Sequence, residues 1–195
     1  MTFYDFSKAA VGAALRTVWR LRVVGAERVP LEGPLIVACN HVSYFDPPAL
    51  GVAVPRPISY MAKVELFKIP VLGPTIAHLN AYPVDRSRGD VAAIKRSVEV
   101  LRAGNAIGIF PEGTRNLSGE VRAQTGVALL ASLSGAPVLP ARVEGTARVH
   151  RLDRIQVTFG EPIVFGRKAS REDLAKWTDE IMARIAGLGE QLRGH

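Results

Sequence analysis

"IVACNHVSYFDPP", Ile36 to Pro48, carries a short apolar run straight into a polar pair, Asn40-His41, and then sets an acid, Asp46, ahead of two prolines. An apolar segment of this length bounded by turn residues reads as a buried strand, so His41 falls just past a strand's carboxyl end. Were the chain to stay extended, His41 and Asp46 would lie ~17 Å apart, and in a regular helix residues five apart point in different directions. Contact between them needs a tight reversal, which Ser43, Tyr44 and the two prolines permit. A carboxylate held against one imidazole nitrogen would orient the ring and fix its tautomer, leaving the other nitrogen to take a proton from a hydroxyl. The plainer reading of Asp46-Pro47 is a helix start, an N-cap with proline in the first turn. One acid can serve both ends.

Strand-like runs recur downstream: "ISYMAK" (Ile58 to Lys63), "AIGIF" (Ala106 to Phe110), "PVLPARV" (Pro137 to Val143) and "IQVTF" (Ile155 to Phe159). Between them lie helical patterns. Asp90 is placed to cap a helix with Val91, Ile94, Val98 and Leu101 on one face and Gly104 at its end, and a second helix is expected around Thr125 to Ser134. A closing helix opens with a capping box, Ser170 to Asp173, and carries Leu174, Trp177, Ile181, Ile185 and Leu188 on one side. Strands alternating with helices predict an α/β domain. The first twenty residues read as a helix of their own, with Phe3, Phe6, Ala10, Ala14 and Val18 on one side and Arg16 and Arg20 off that face. Such a helix can lie in a membrane interface or pack on its own domain. The expected division is a membrane-associating amphipathic helix over 1–22 and one folded domain over 23–195.

Whole-chain properties set the bounds. A length of 195 residues suits a single domain that buries a real core without disulfides or a structural metal. Cys39 is the one cysteine, so no intramolecular disulfide forms and no Cys/His cluster points to zinc. Lys and Arg number 25 against 18 acids, a net charge of +7 with a pI near 10.0, which favours an anionic partner. The charges are scattered and aromatics make up only 7% of the chain, an arrangement that argues against a nucleic-acid surface. A 48% hydrophobic content and a mean hydropathy of +0.13 lean towards lipid. No stretch reaches the ~18–20 apolar residues of a spanning helix, and no export signal is legible. The expected location is therefore peripheral, on the cytoplasmic side of the cell membrane.

A second unusual stretch, "FPEGTRN" (Phe110 to Asn116), follows "AIGI" as the His41 loop follows "LIVAC". In open α/β sheets, functional groups collect beyond the carboxyl ends of strands. Gly113 permits positive φ or close backbone approach, Glu112, Thr114 and Arg115 crowd around it, and Arg115 offers a planar fork suited to phosphate.

These residues carry a family resemblance. Asn40-His41 with Asp46 resembles the N-H-x-x-x-x-D motif of the glycerolipid acyltransferases, and Phe110 to Arg115 resembles their F-P-E-G-T-R motif. "YPVDR" (Tyr82 to Arg86) and "PVLPARVEGT" (Pro137 to Thr146, with Pro140) are similar to two further blocks, in family order, over roughly residues 20 to 165. The nearest subgroup is the 1-acyl-glycerol-3-phosphate acyltransferases. The resemblance implies a glycerol-3-phosphate acyltransferase-like fold, a single α/β domain with a mixed, largely buried sheet flanked by helices. It also implies direct transfer of an acyl group from acyl-CoA or acyl carrier protein to a lysophospholipid at a membrane surface, with no cofactor and no metal. By the same resemblance His41 is the general base and Asp46 its orienting partner. Lys63, Arg86 and Arg115 would hold the acceptor's phosphate, and Glu112, Gly113 and Thr114 would line the acceptor site. The chain departs from many relatives in carrying Gln124-Thr125-Gly126 where they have a lysine before Thr-Gly. One positive charge is missing there.

Two rival readings follow from the residues alone. Cys39 and His41 point the same way if the strand continues, which would suit a thiol-dependent thioesterase, though a cysteine in such a run is also a small buried hydrophobe. A membrane-binding module without chemistry would show the same N-terminal helix.

Overall fold

A computed structural model describes residues 3–70, 72–84, 91–116 and 123–190. Helix α1 (Phe3–Val18) leads into strand β1 (Arg22–Val24), then β2 (Leu35–Cys39) and α2 (Asp46–Ala53). Next come β3 (Ile58–Lys63), α3 (Leu72–His78), β4 (Ala81–Val84), α4 (Val91–Arg102) and β5 (Ala106–Ile109). The described chain closes with α5 (Gly126–Ser134), β6 (Val138–Glu144), β7 (Gln156–Phe159) and α6 (Arg171–Glu190). The strands form one seven-stranded sheet in the order β1-β7-β6-β2-β5-β3-β4. It is mixed: β4, β3, β5, β2 and β6 are parallel, whereas β7 runs antiparallel to β6 and β1 lies parallel to β7. Every strand of the parallel set therefore ends at the same edge. Asp90 and Arg86 lie outside the described residues.

The apolar run that opens the reading is the centre of this sheet. All five residues of β2 are buried, because helices cover both faces, and pleating sends alternate side chains to opposite layers. Leu35, Val37 and Cys39 join Leu15 of α1 and Ala49, Leu50 and Val52 of α2 in one core. Ile36 and Ala38 join Leu101 of α4, Leu130 of α5 and Ile181 and Ile185 of α6 in the other. The predicted capping box is present: Ser170 and Asp173 exchange backbone and side-chain hydrogen bonds at the start of α6. Gly104 takes φ +79° after α4, as a helix-terminating glycine does.

One helix, α4, turns differently from the sequence reading, and for α1 the structure decides which side packs. On α4 the buried residues are Ala93, Ser97 and Leu101, with Ile94 and Val98 flanking, while Val91 is exposed. On α1 the stripe Phe3, Phe6, Ala10, Ala14 and Val18 faces outwards, fully on the exposed side. The helix is seated instead by its other side: Tyr4 accepts the Ile58 N–H, Gly12 and Leu15 are buried, and beyond the helix Trp19 donates to the Val149 carbonyl. Two short edge strands, β1 and β4, were not legible as strands. β4 tolerates Pro83 because a sheet's outermost strand has an unpaired side.

Where β2 ends, the sheet is continued by a side chain. The Asn40 carboxamide accepts the Val143 N–H (2.8 Å) and donates to the Val143 carbonyl (3.0 Å), imitating one more backbone pair with β6. The main chain can then turn away while β6 stays satisfied. Replacing Asn40 by Leu should leave both Val143 groups unpaired and destabilise the fold by about 1–3 kcal/mol, read as a lower denaturation midpoint at an unchanged denaturant slope.

Candidate active site

His41 is the first residue free of the sheet, and four contacts fix it. Its backbone N–H donates to Glu112 Oε2 (2.7 Å), and its carbonyl accepts the Asn116 N–H (2.7 Å). Its ring stacks on Phe110, with centroids 4.4 Å apart. Its Nδ1 meets Asp46 Oδ2 at 2.9 Å. The reversal between the two is made by Ser43, whose carbonyl accepts the Asp46 N–H and whose hydroxyl oxygen accepts the Phe45 N–H.

Asp46 does more than orient a ring. The same Oδ2 also accepts the N–H groups of Val42 (2.6 Å) and Ser43 (2.7 Å). Its side chain is fully buried, whereas that of His41 keeps 15% of its exposure. Asp46 is also the first residue of α2, with proline in the first turn, so the helix does start here, but the N-cap position falls to Phe45 and the expected capping role of the acid is not observed. It reaches back to the amides before it; no side-chain cap bond forms at this helix. Because a carboxylate is an acceptor, Nδ1 carries the proton and Nε2 of the neutral ring is left as a base.

The second loop is locked onto the first. Glu112 is only 6% exposed: one oxygen holds His41 and the other accepts from Asn116 Nδ2 (3.1 Å). It therefore ties the two loops together beneath the surface. Gly113 takes φ +66°, and a Cβ there would stand 2.9 Å from the Gln124 amide nitrogen, so a larger residue would displace that side chain. Gln124 itself donates its backbone N–H to the Pro111 carbonyl. Thr114 is exposed and Arg115 half-buried, the latter with its guanidinium carbon 3.9 Å from the Tyr44 ring centroid. Lys63 is exposed at the end of β3, two strands from β2, about 10 Å across the sheet at ordinary strand spacing. Arg86 is outside the described residues.

Several site residues escaped the sequence reading: the Asn40 clamp, Asn116, and the rings of Phe110 and Tyr44. Asn40 and Phe110 stood inside the motifs, but nothing in a linear sequence distinguishes an amide that extends a sheet from one that meets a substrate. Cys39 is wholly buried in the core. Burial, with the Asp46 charge adding to it, pushes its thiol well above the ordinary cysteine range, which removes the thiolate a nucleophile needs. Among the described residues no group of His, Cys, Asp and Glu is arranged to hold a metal ion.

Comparison with known proteins places the chain in a family. The family model described as Acyltransferase matches residues 20–144, a span that contains both loops. The 1-acyl-sn-glycerol-3-phosphate acyltransferase of Bacillus subtilis (strain 168) is 32% identical over 196 aligned positions, covering 97% of this chain and 98% of its own. That of Pseudomonas aeruginosa is 33% identical, over 90% of this chain and 77% of its own. The crystal structure of the 1-acyl-sn-glycerophosphate acyltransferase PlsC from Thermotoga maritima superposes with a TM-score of 0.75 at 26% identity, covering 98% of this chain and 82% of that one. With a family model spanning well over half its length and a full-length relative above 30% identity, the chain belongs to the acyltransferase family.

Proposed function

We propose that the protein moves a fatty acyl group from an acyl thioester to the free hydroxyl of 1-acyl-glycerol-3-phosphate, forming phosphatidate. The observation that carries this reading is the His41 Nδ1 to Asp46 Oδ2 contact at 2.9 Å, with the carboxylate oxygen itself pinned by two amides. The relatives' names supply the acceptor class.

In the proposed step His41 Nε2 takes the proton of the acceptor hydroxyl as its oxygen attacks the thioester carbonyl carbon. A new C–O ester bond forms, the C–S bond breaks, and the departing thiolate recovers the proton from the imidazolium. No acyl-enzyme is needed. Asp46 stabilises the imidazolium while it exists and keeps Nδ1 from turning towards substrate. Arg115, with Lys63 and Arg86 as further expected cations, would hold the acceptor's phosphate. Glu112 and Gly113 shape that region from below: Glu112 by fixing both loops, Gly113 by the turn it allows. Acyl-CoA and acyl carrier protein both present the thioester this chemistry requires.

The exposed stripe on α1 supports contact with a membrane. Phe3 and Phe6 keep 51% and 61% of their surface although the opposite side of the helix is seated on the domain. No described helix is long and apolar enough to cross a bilayer. Apart from the edge-on contact of Phe3 with His78, this side of the helix is left to solvent, which suits an interface.

Three measurements test these points. With lysophosphatidate and a long-chain acyl thioester, wild type should form phosphatidate. Folded His41→Ala should lose roughly a hundredfold or more in turnover, and Arg115→Ala should raise the acceptor KM by roughly tenfold; full activity in His41→Ala would refute the general base. Cys39→Ala should keep at least about half the activity, and folded wild type should resist a thiol alkylating agent that labels the denatured chain, as expected for a buried thiol; a dead Cys39→Ala with an intact fold would instead favour the covalent thioesterase route. Finally, the double variant Phe3→Glu/Phe6→Glu should bind phospholipid vesicles at least about tenfold more weakly, since each ring would forfeit its burial in the interface. Unchanged binding would remove α1 as the contact.

A further inference from the structure

We propose that Tyr44 is a positioning residue for acceptor phosphate: its ring holds the Arg115 guanidinium beside the His41 loop with the N–H edge left open. This rests on the acyl-acceptor reading above, and it assigns a role to a residue outside the general-base pair and the phosphate-binding cations.

Arg115 is held in an unusual way for this molecule. Arg28, Arg142 and Arg148 each have a carboxylate within ion-pair distance, and Arg56 is spent on the carbonyls of Pro30, Gly33 and Gly104. Among the described residues no carboxylate pairs with Arg115. Its contact is the Tyr44 ring face, 3.9 Å from the guanidinium carbon to the centroid. The ring's negative quadrupole attracts the cation without accepting its N–H groups. A carboxylate in that place would cancel the charge and occupy the fork. An aromatic face restrains a long flexible side chain and leaves five donors for an incoming anion.

Both sides of the stack hang from the same framework. Tyr44 lies between Ser43, whose N–H is bound by Asp46, and Phe45, whose N–H is bound by the Ser43 hydroxyl. Next to Arg115, Asn116 donates its N–H to the His41 carbonyl and its side-chain amide to Glu112. The turn that aims the imidazole therefore also carries the platform for the cation. A phosphate gripped by Arg115 is thereby set at a defined distance from Nε2, which is the proximity a hydroxyl two carbons from that phosphate needs. Tyr44 is 68% exposed, so its ring is not retained for burial in the core.

The test is kinetic and calorimetric, on Tyr44→Leu, Tyr44→Phe, Arg115→Ala and the double variant Tyr44→Leu/Arg115→Ala of the full chain. Tyr44→Leu should raise the KM for lysophosphatidate about three- to tenfold, hold kcat within about twofold, and leave the KM for the acyl thioester unchanged. Tyr44→Phe, which keeps the ring face, should behave as wild type. In the Arg115→Ala background the Tyr44→Leu change should add nothing, because the two act as one unit. The result that overturns the proposal is an equal loss with and without Arg115, which would make Tyr44 an independent lipid contact, or a rise in the thioester KM, which would assign the cation to the donor's phosphates. Direct titration of lysophosphatidate into each variant tests the same stack without turnover: weaker binding to Tyr44→Leu supports it and unchanged binding refutes it. Wild type that binds lysophosphatidate but never acylates it would refute the reaction assigned above and leave the binding comparison to decide on Tyr44.

Discussion

A fully buried carboxylate has to be compensated where it sits, and Asp46 is compensated almost entirely at one oxygen. Oδ2 takes the amides of Val42 and Ser43 and Nδ1 of His41, while no described donor reaches Oδ1. Burying a charge costs several kcal/mol after relaxation, and short charge-assisted bonds are among the interactions able to offset it. The consequence is geometric. Those three donors lie within five residues of chain, so they can converge on one atom only if the chain reverses between them. The acid thus dictates the turn, the turn dictates the ring, and α2 starts from the same residue. A local charge requirement has become the architecture of the sheet's active edge.

That edge also has to be joined across strands, since His41 comes from the loop after β2 and Arg115 from the loop after β5. Parallel pairing brings the two strand ends side by side, but strand ends alone leave loops free to diverge. Glu112 removes that freedom from below by holding His41 with one oxygen and Asn116 with the other. Asn40 does the equivalent on the other flank, where its amide pairs with β6. Buried polar groups that each satisfy two partners rigidify a site more than apolar packing would, because every alternative arrangement leaves a donor or acceptor unmet. The imidazole of His41 is therefore positioned by three neighbouring strands.

The sequence made much of this legible, and its failures have physical causes. β2, β3, β5, β6, β7 and the helices α4, α5 and α6 were readable as elements because buried strands are apolar and short, and because glycine and capping residues mark ends. The meeting of His41 with Asp46 was readable as one outcome the chain allows, since chemistry requires an orienting acid and the turn residues permit the reversal. The edge strands β1 and β4 were not readable: three or four half-exposed residues carry no periodicity. For α1 the sequence left open whether the stripe Phe3, Phe6, Ala10, Ala14 and Val18 packs on the domain or faces away from it; it faces away, and the helix is seated by Tyr4 through a hydrogen bond, by Gly12 through close approach and by Leu15 through core packing. Hydrophobic periodicity finds the apolar side of a helix. It cannot say which partner that side was made for.

The same distinction applies at the site. Glu112 and Arg115 are three residues apart in one motif, yet one is sunk to 6% exposure with both oxygens engaged by protein and the other is half-exposed with an aromatic face for its support. A charged residue whose hydrogen-bonding capacity is exhausted internally can shape a ligand's surroundings but has no bond left to give. One restrained only through its π face keeps all of its bonding capacity. Gln124 sharpens the contrast, for it lies over Gly113 as a neutral amide, in the place where a cation would add to the local field. With no added charge there, any anion bound at this edge would lean more heavily on how well the remaining cations are preorganised. A planar guanidinium already set against a ring loses less rotamer entropy on binding than a free side chain does.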